Sequence, residues 1–405
     1  MKRVAITGLG LISPLGCTVR SAFERLKQYE NCVERLGELD EYIGLNTRLA
    51  APVHGFETPE YLNRKATRTM GRVAVFSVAS AYDALLDANL LDSPAVRDAG
   101  VCYGSSMGAM DSLIDFYSMK VKKEIRGLNS GSYIKIMPHT APVNISLFFK
   151  TRGRIVPSST ACTSGSMGIG YAYEAIKSGH QTVMIAGGAE ELHPSQIAIF
   201  DTLYATSLKN DAPKLSPSPF DRDRDGLVIG EGAGTLILEE YEHAQARGAK
   251  IYAEIIGFAT NADGSHITNP ESETMGAVME LALLNSGVSP ERIDYINAHG
   301  TSTLQGDVAE TTAVRSVFKR AVPISSLKSY TGHTLGACGA IEALLSVEML
   351  NAGWFAPTLN LKNVDENCGE LDYIKNEGRK IDAEIIMSNN FAFGGINTSL
   401  IFKKL

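Results

Sequence analysis

Residues 158–179 read SSTACTSGSMGIGYAYEAIKSG, and residues 325–353 read SSLKSYTGHTLGACGAIEALLSVEMLNAG. Each passes from a polar turn through a reactive side chain into small residues. Each then continues as an amphipathic helix with apolar residues about every 3.6 positions. The echo predicts two similar halves packed together, with Cys162 and His333 at equivalent helix starts. Many α/β crossovers open in the same way, so the echo also fits coincidence.

Further out, short β-branched runs alternate with helical patterns. RVAITGLG (3–10), GVCYGSS (100–106), TVMIAGGA (182–189) and TLILEE (235–240) predict strands. SAFERLKQYE (21–30) and GRVAVFSVASAYDALLDANL (71–90) predict helices. A second series begins near Tyr252, with YAEIIGFAT and IDYINAHG as strands and ETMGAVMELALLNSG and DVAETTAVRSVF as helices. Alternation of this kind implies an α/β fold with buried sheets. We place the halves at residues 1–248 and 249–405.

The 405 residues carry 44% hydrophobic and 20% charged side chains, ordinary for a globular protein with a large core. A net charge of -7 argues against a nucleic-acid-coating protein. The six cysteines (17, 32, 102, 162, 338, 368) show no CxxC pair and no zinc spacing, which suits reduced cytoplasmic thiols. The N-terminus is apolar but broken by Gly and Pro, and reads as strand and turn rather than signal peptide. No uninterrupted apolar run reaches the roughly 18 residues of a membrane span. The expectation is a cytoplasmic protein with no metal or organic cofactor.

A cysteine at a helix N-terminus faces unpaired N–H groups and the positive end of the dipole. These favour the nucleophilic thiolate and can hold an oxyanion. Cys162 alone reads more readily as a small buried hydrophobe. His299, where the apolar strand IDYIN ends in a Gly/Thr turn, and His333, in KSYTGHTLG, shift that balance. Each alone suits a structural histidine, but a cysteine with two histidines beside glycines is a rarer, catalytic constellation. Lys328 and Glu342 supply a possible ion pair beneath it. In IIMSNNFAFGGINTSLIF (385–402), Phe391 and Phe393 flank an apolar tunnel or pack a hairpin core. GLVIGEGAG (226–234) reads as a tight turn, not a dinucleotide fingerprint, and FDRDRDG (220–226) as a solvated charged turn.

Taken in order, VAITGLGLISPLG, TACTSG, GGAE, PFDRDRDG, GEGAG, INAHGTST, SLKSYTGHTLGACGAIE and NNFAFGGIN resemble the elongating β-ketoacyl-acyl carrier protein synthases of the thiolase-like superfamily. The resemblance spans nearly the whole chain. It implies a duplicated five-layered α/β/α/β/α fold, a dimer and an acyl carrier protein as partner. It makes Cys162 the acyl-accepting nucleophile and His299 and His333 the histidine pair. Lys328, Glu342, Asp307 and Glu310 become supports, and the backbone N–H groups of Cys162 and Phe393 the oxyanion hole. Phe391, Phe393, Met107, Phe200 and Leu227 become gate and acyl pocket. Carrier proteins are acidic, so Arg64, Lys65, Arg68 and Arg72, with Lys120, Lys122 and Lys123, form an expected docking rim or else a plain solvated face.

Several positions depart from the family. Ala392 replaces a glycine, Ile396 a threonine, Leu227 a phenylalanine, Leu304 a proline and Cys338 an alanine. They touch the pocket rather than the chemistry. The implied activity is decarboxylative condensation of malonyl-acyl carrier protein with a fatty acyl group. The alternative is the ketosynthase of a specialised polyketide or aryl polyene system with a chain-length-factor-like partner. A thiolase would need a second cysteine where Phe391 and Phe393 stand, and a non-catalytic partner subunit would lack Cys162.

Overall fold

The computed structural model describes residues Met1–Leu405. Eleven strands form one hydrogen-bonded sheet: β1 (Val4–Ile12), β2 (Gly100–Gly104), β3 (Ile155–Ser158), β4 (Val183–Glu190), β5 (Gly232–Glu240), β6 (Ala253–Ala262), β7 (Tyr295–Asn297), β8 (Pro323–Ser325), β9 (Asp372–Tyr373), β10 (Ile385–Ala392) and β11 (Ile396–Lys403). Their spatial order is β9-β8-β7-β10-β11-β6-β1-β5-β4-β2-β3. Leaving aside the short edge strand β9, which has no counterpart in the first half, the five remaining strands of each half run third, second, fourth, fifth, first. The fifth strand is antiparallel to its neighbours in each. The two first strands, β1 and β6, pair antiparallel through Val4–Ile255 and join the halves. The expected boundary at 248/249 falls in the turn before β6.

Five helices fix the layers: α1 (Arg72–Asp87), α2 (Ser164–Lys177), α3 (Ser272–Ser286), α4 (Leu304–Phe318) and α5 (Cys338–Ala352). α1 covers the outer face of the first half-sheet, and α3, backed by α4, that of the second. Between them α2 and α5 pack on each other and on both half-sheets. This is the duplicated α/β/α/β/α arrangement. Strands such as β1 are buried along their whole length, so they read as continuous apolar runs rather than alternating ones.

The middle layer explains α5. The stretch Leu335–Ala352 has a mean hydropathy of 1.3, the composition of a membrane span, yet 83% of it is buried inside the protein. A helix apolar all round needs cover on every side, and here two half-sheets and α2 supply it. Close approach rests on two glycines. A Cβ on Gly165 would sit 2.8 Å from the Ala340 N, and one on Gly339 2.7 Å from the Ser166 N.

The duplication extends to the helix starts. Ala161 and Leu335 both adopt left-handed backbone (φ 49° and 46°), each opening a single 3₁₀ turn, Ala161–Thr163 and Leu335–Ala337. α2 and α5 follow directly. The structural counterpart of Cys162 is therefore Gly336, not His333, which lies three residues earlier. Sequence reading saw the echo and set its register wrongly, because the left-handed residues that mark it are not glycines.

Candidate active site

Cys162 is 4% exposed and sits in the 3₁₀ turn that launches α2. Left-handed Ala161 accepts a sterically costly conformation there and turns the cysteine inward. Its Sγ lies 3.0 Å from His333 Nε2. Burial pushes the Cys162 thiol up to about 11, against the pull of the Lys328 ammonium and of the Phe393 and Cys162 N–H groups. The sequence expectation of a lowered thiol pKa is corrected here, because loss of water outweighs the helix start. Alkylation of Cys162 by iodoacetamide should accordingly rise about tenfold per pH unit between about pH 7 and 9.5, as the thiolate fraction grows. A rate that levels off below pH 8 would show a thiolate already formed at neutral pH.

The histidines are set by what holds their other nitrogens. His333 Nδ1 accepts the Leu335 N–H at 3.3 Å, and His299 Nδ1 faces the Lys328 ammonium at 3.1 Å. Both Nδ1 atoms are therefore acceptors, so both neutral rings carry their proton on Nε2. The rings meet edge to face, centroids 5.2 Å apart. Burial, then the Lys328 charge, holds both well below the usual histidine value, so they stay neutral. Cys162, His299 and His333 lie within 4.8 Å of one another, close enough to ligate a metal. A metal would need unprotonated Nε2 atoms, and this tautomer offers N–H donors instead. The trio is built to hydrogen-bond an anionic oxygen or sulfur.

Lys328 and Glu342, 1% and 2% exposed, pair at 2.5 Å, and Asn390 Nδ2 donates to the other Glu342 oxygen at 2.7 Å. Burial opposes the Lys328 charge, but the pull of Cys338 and Glu342 holds its pKa above the ordinary lysine value. Cys338 lies alongside, its Sγ 3.2 Å from the carbonyl oxygen of Cys162. Glu310 accepts the N–H groups of His299 and Gly300, both at 2.7 Å, and so fixes the turn that carries His299. Asp307 accepts the N–H groups of Phe220 and Ser302.

The turn at 220–226 is solvated only in part: Arg222 and Asp223 are exposed, as the sequence reading expected, while Phe220, Asp221 and Arg224 are buried. The Arg224 side chain is fully buried. It pairs with Asp307 at 3.3 Å and Asp365 at 2.7 Å and donates to the carbonyls of Thr303 and Leu304. Acceptors on two distant segments, Thr303–Asp307 and Asp365, account for a buried arginine in a motif that looks hydrophilic.

A cavity of about 370 Å³ opens onto Cys162, His299 and His333. Phe200, Leu227, Phe391 and Phe393 line it, with the Phe200 and Phe393 rings 5.3 Å apart. Met107 does not line it. That side chain is half-buried on the turn after β2, and the following helix Leu113–Lys122 exposes Ile114, Tyr117 and Val121. Arg72 does not continue one helical stretch with the other three basic residues. It opens α1 after a break at Met70–Gly71, and its guanidinium is held by Glu231 through two bonds of 2.7 Å. Arg64, Lys65, Arg68 and Arg72 are all exposed. The sequence reading missed Thr301 and Thr303, whose hydroxyls lie 2.9 Å apart on the cavity wall, and Asn390.

A buried cysteine facing two Nε2–H imidazoles, on a duplicated five-layer fold, defines an acyl-transferring enzyme of the thiolase-like class. Residues 1–244 match the family model "Beta-ketoacyl synthase, N-terminal domain", and residues 252–362 match its C-terminal domain. The chain thus belongs to the β-ketoacyl synthase family. It is 38% identical to the 3-oxoacyl-(acyl-carrier-protein) synthase 2 of Vibrio cholerae, covering 100% of this chain and 99% of that protein. It superposes on a beta-ketoacyl synthase from Burkholderia phymatum with a TM-score of 0.98 at 54% identity, covering 100% of both chains. A type II PKS ketosynthase solved with its acyl carrier protein gives a TM-score of 0.89 at 29% identity, again covering both chains fully.

Proposed function

We propose that the protein elongates an acyl chain by decarboxylative condensation with malonyl-acyl carrier protein. The observation that carries this reading is the tautomer. Two neutral imidazoles both present N–H at the sulfur and the cavity, with a buried ammonium behind them. The Cys162 thiolate attacks the thioester of an acyl carrier protein, and the N–H groups of Cys162 and Phe393 hold the resulting oxyanion. The carrier's thiol leaves with a proton and the acyl group stays on sulfur. Malonyl thioester then enters, and its carbonyl oxygen accepts the Nε2–H bonds of His299 and His333. The C–C bond to the carboxylate breaks, carbon dioxide departs, and the enolate left behind attacks the acyl-cysteine, expelling the Cys162 thiolate. No step calls for a metal or organic cofactor.

Incubation with an acyl-carrier protein should add one acyl mass to the peptide containing Cys162, read by mass spectrometry. An unmodified Cys162 after incubation with acyl groups of every length would overturn the reading. Leu227, at the cavity wall where the resembling family commonly has phenylalanine, supports a second reading. In it the chain is the ketosynthase of a specialised polyketide or aryl polyene system, paired with a chain-length-factor-like subunit. A structurally similar ketosynthase/chain length factor, of ishigamide, has a TM-score of 0.91 at 28% identity. The same mass measurement separates the two by the acyl group retained.

A second chain, identical or related, is proposed to cover the outer edge of β3 and the exposed apolar side of helix Leu113–Lys122. The acidic carrier protein is proposed to dock on Arg64, Lys65 and Arg68. We place the enzyme in the cytoplasm and divide it at residue 248 into a nucleophile half and a histidine half.

A further inference from the structure

The duplicated fold builds two equivalent helix starts, and only one of them is left free for chemistry. At the first, the N–H of Cys162 faces the reacting sulfur, with the end of β10 and Phe393 beside it. At the second, the equivalent N–H belongs to Gly336, and the end of β4 lies beside it. β4 and β10 are both eight residues long, and they end on Glu190 and Ala392 respectively. Glu190 thus occupies the place that Ala392 and Phe393 hold at the reactive start.

Glu190 is wholly buried. Its Oε2 accepts the Gly336 N–H at 3.0 Å and the Ser106 N–H at 2.8 Å, and Ser106 Oγ donates to the same oxygen. Its Oε1 accepts from Ser105 Oγ at 3.0 Å. All these partners are donors, so one carboxylate ties the end of β4 and the Ser105–Ser106 turn to the 3₁₀ turn opening α5. That 3₁₀ turn includes Leu335, whose N–H holds His333 Nδ1. A Cβ on Gly336 would meet Glu190 Oε2 at 2.7 Å, so the carboxylate and the turn fit in direct contact.

We propose that Glu190 is a positioning residue for His333: by filling the helix start that duplicates the one at Cys162, it fixes the turn that keeps the His333 proton on Nε2. The group acts through the Leu335–Gly336 turn and touches no substrate. Without it the Gly336 and Ser106 N–H groups lose their acceptor and the turn is free to shift. The Leu335 N–H then no longer holds Nδ1, and the ring can move its proton away from the sulfur. Glutamine should serve almost as well. Its carbonyl oxygen can take both N–H groups while its amide donates to Ser105 Oγ.

The inference rests on reading His333 and Cys162 as the reacting pair, so its test needs one measurement without substrate. Spectra of ¹⁵N-histidine-labelled protein, with the His333 signals assigned by their loss in His333→Gln, read the tautomer directly. Wild type and Glu190→Gln should show His333 protonated on Nε2, and Glu190→Ala should gain an Nδ1–H population. In condensation assays, Glu190→Ala should lower kcat about 10- to 100-fold with KM within about twofold. Glu190→Gln should stay within about fivefold of wild type. Gly336→Ala approaches the contact from the other side and should reproduce the tautomer change if Glu190→Ala fails to fold. An unchanged His333 tautomer in the variants, or a Glu190→Gln as slow as Glu190→Ala, overturns the proposal. A changed tautomer with full condensation activity would instead overturn the proposed roles of the histidines.

Discussion

Cys162→Ala should lose acyl loading and condensation by roughly 10⁴-fold or more while keeping its fold. The side chain removed is small and sits in the 3₁₀ turn, whose conformation is set by Ala161 and by hydrogen bonds of Thr160, Thr163 and Ser164. None of those bonds involves Sγ. Loss of the sulfur removes one buried atom, so the melting temperature should change by an amount corresponding to no more than about 1 kcal/mol. The chemistry has no substitute nucleophile in reach. Cys338, the neighbouring thiol, is held well above the ordinary thiol range by burial and points at the Cys162 carbonyl rather than at the cavity. The measurement is single-turnover loading from an acyl-carrier protein together with release of carbon dioxide from the malonyl donor. Condensation within tenfold of wild type would remove Cys162 from the mechanism.

The chemistry-bearing residues were legible because each lies in a short stretch where apolar strand gives way to glycine or threonine. Cys162, His299, His333 and Lys328 stand in such stretches, Glu342 lies in the helix that follows, and the structure brings all five together. The alternation of strands and helices was equally plain, since buried strands such as β1 are nearly continuous apolar runs. What the sequence hid was polarity turned inward. Arg224 and Glu190 look like surface residues until two distant segments converge on the first and two turns on the second. Their partners lie tens to hundreds of positions away, and no local pattern records that convergence.

The thiol pKa shows a different kind of gap. The helix start at Cys162 is a local feature and was read correctly, but the burial that outweighs it comes from β10, α5 and the loop at Phe393. Met107 and Arg72 show how far residue type alone falls short of describing surroundings. The first has the flexible apolar character of a tunnel residue and does not line the cavity at Cys162. The second has the charge of a docking group and is already committed to Glu231. Residue type alone set those expectations, and three-dimensional neighbours decided them.

Lys328→Met should separate the stability of the site from its chemistry. The ammonium is 1% exposed between Glu342 Oε1 and His299 Nδ1. Removing it leaves the Glu342 carboxylate buried without a cation and held by amide donors such as Asn390, an imbalance that costs about 3–5 kcal/mol. A buried pair replaced as a unit by apolar side chains is commonly neutral or stabilising, so Lys328→Met combined with Glu342→Leu should regain most of that loss. Activity should not follow. In both variants His299 Nδ1 has lost its cationic donor, and the ring is free to place its proton on Nδ1. The malonyl carbonyl then loses one of its two N–H partners, an effect of roughly 10²–10³-fold on decarboxylation. Chemical denaturation would report the first quantity and carbon dioxide release the second. Recovery of both in the double variant would show that Lys328 serves only to neutralise Glu342. Recovery of stability alone would show that the ammonium sets the His299 tautomer on which the reaction depends.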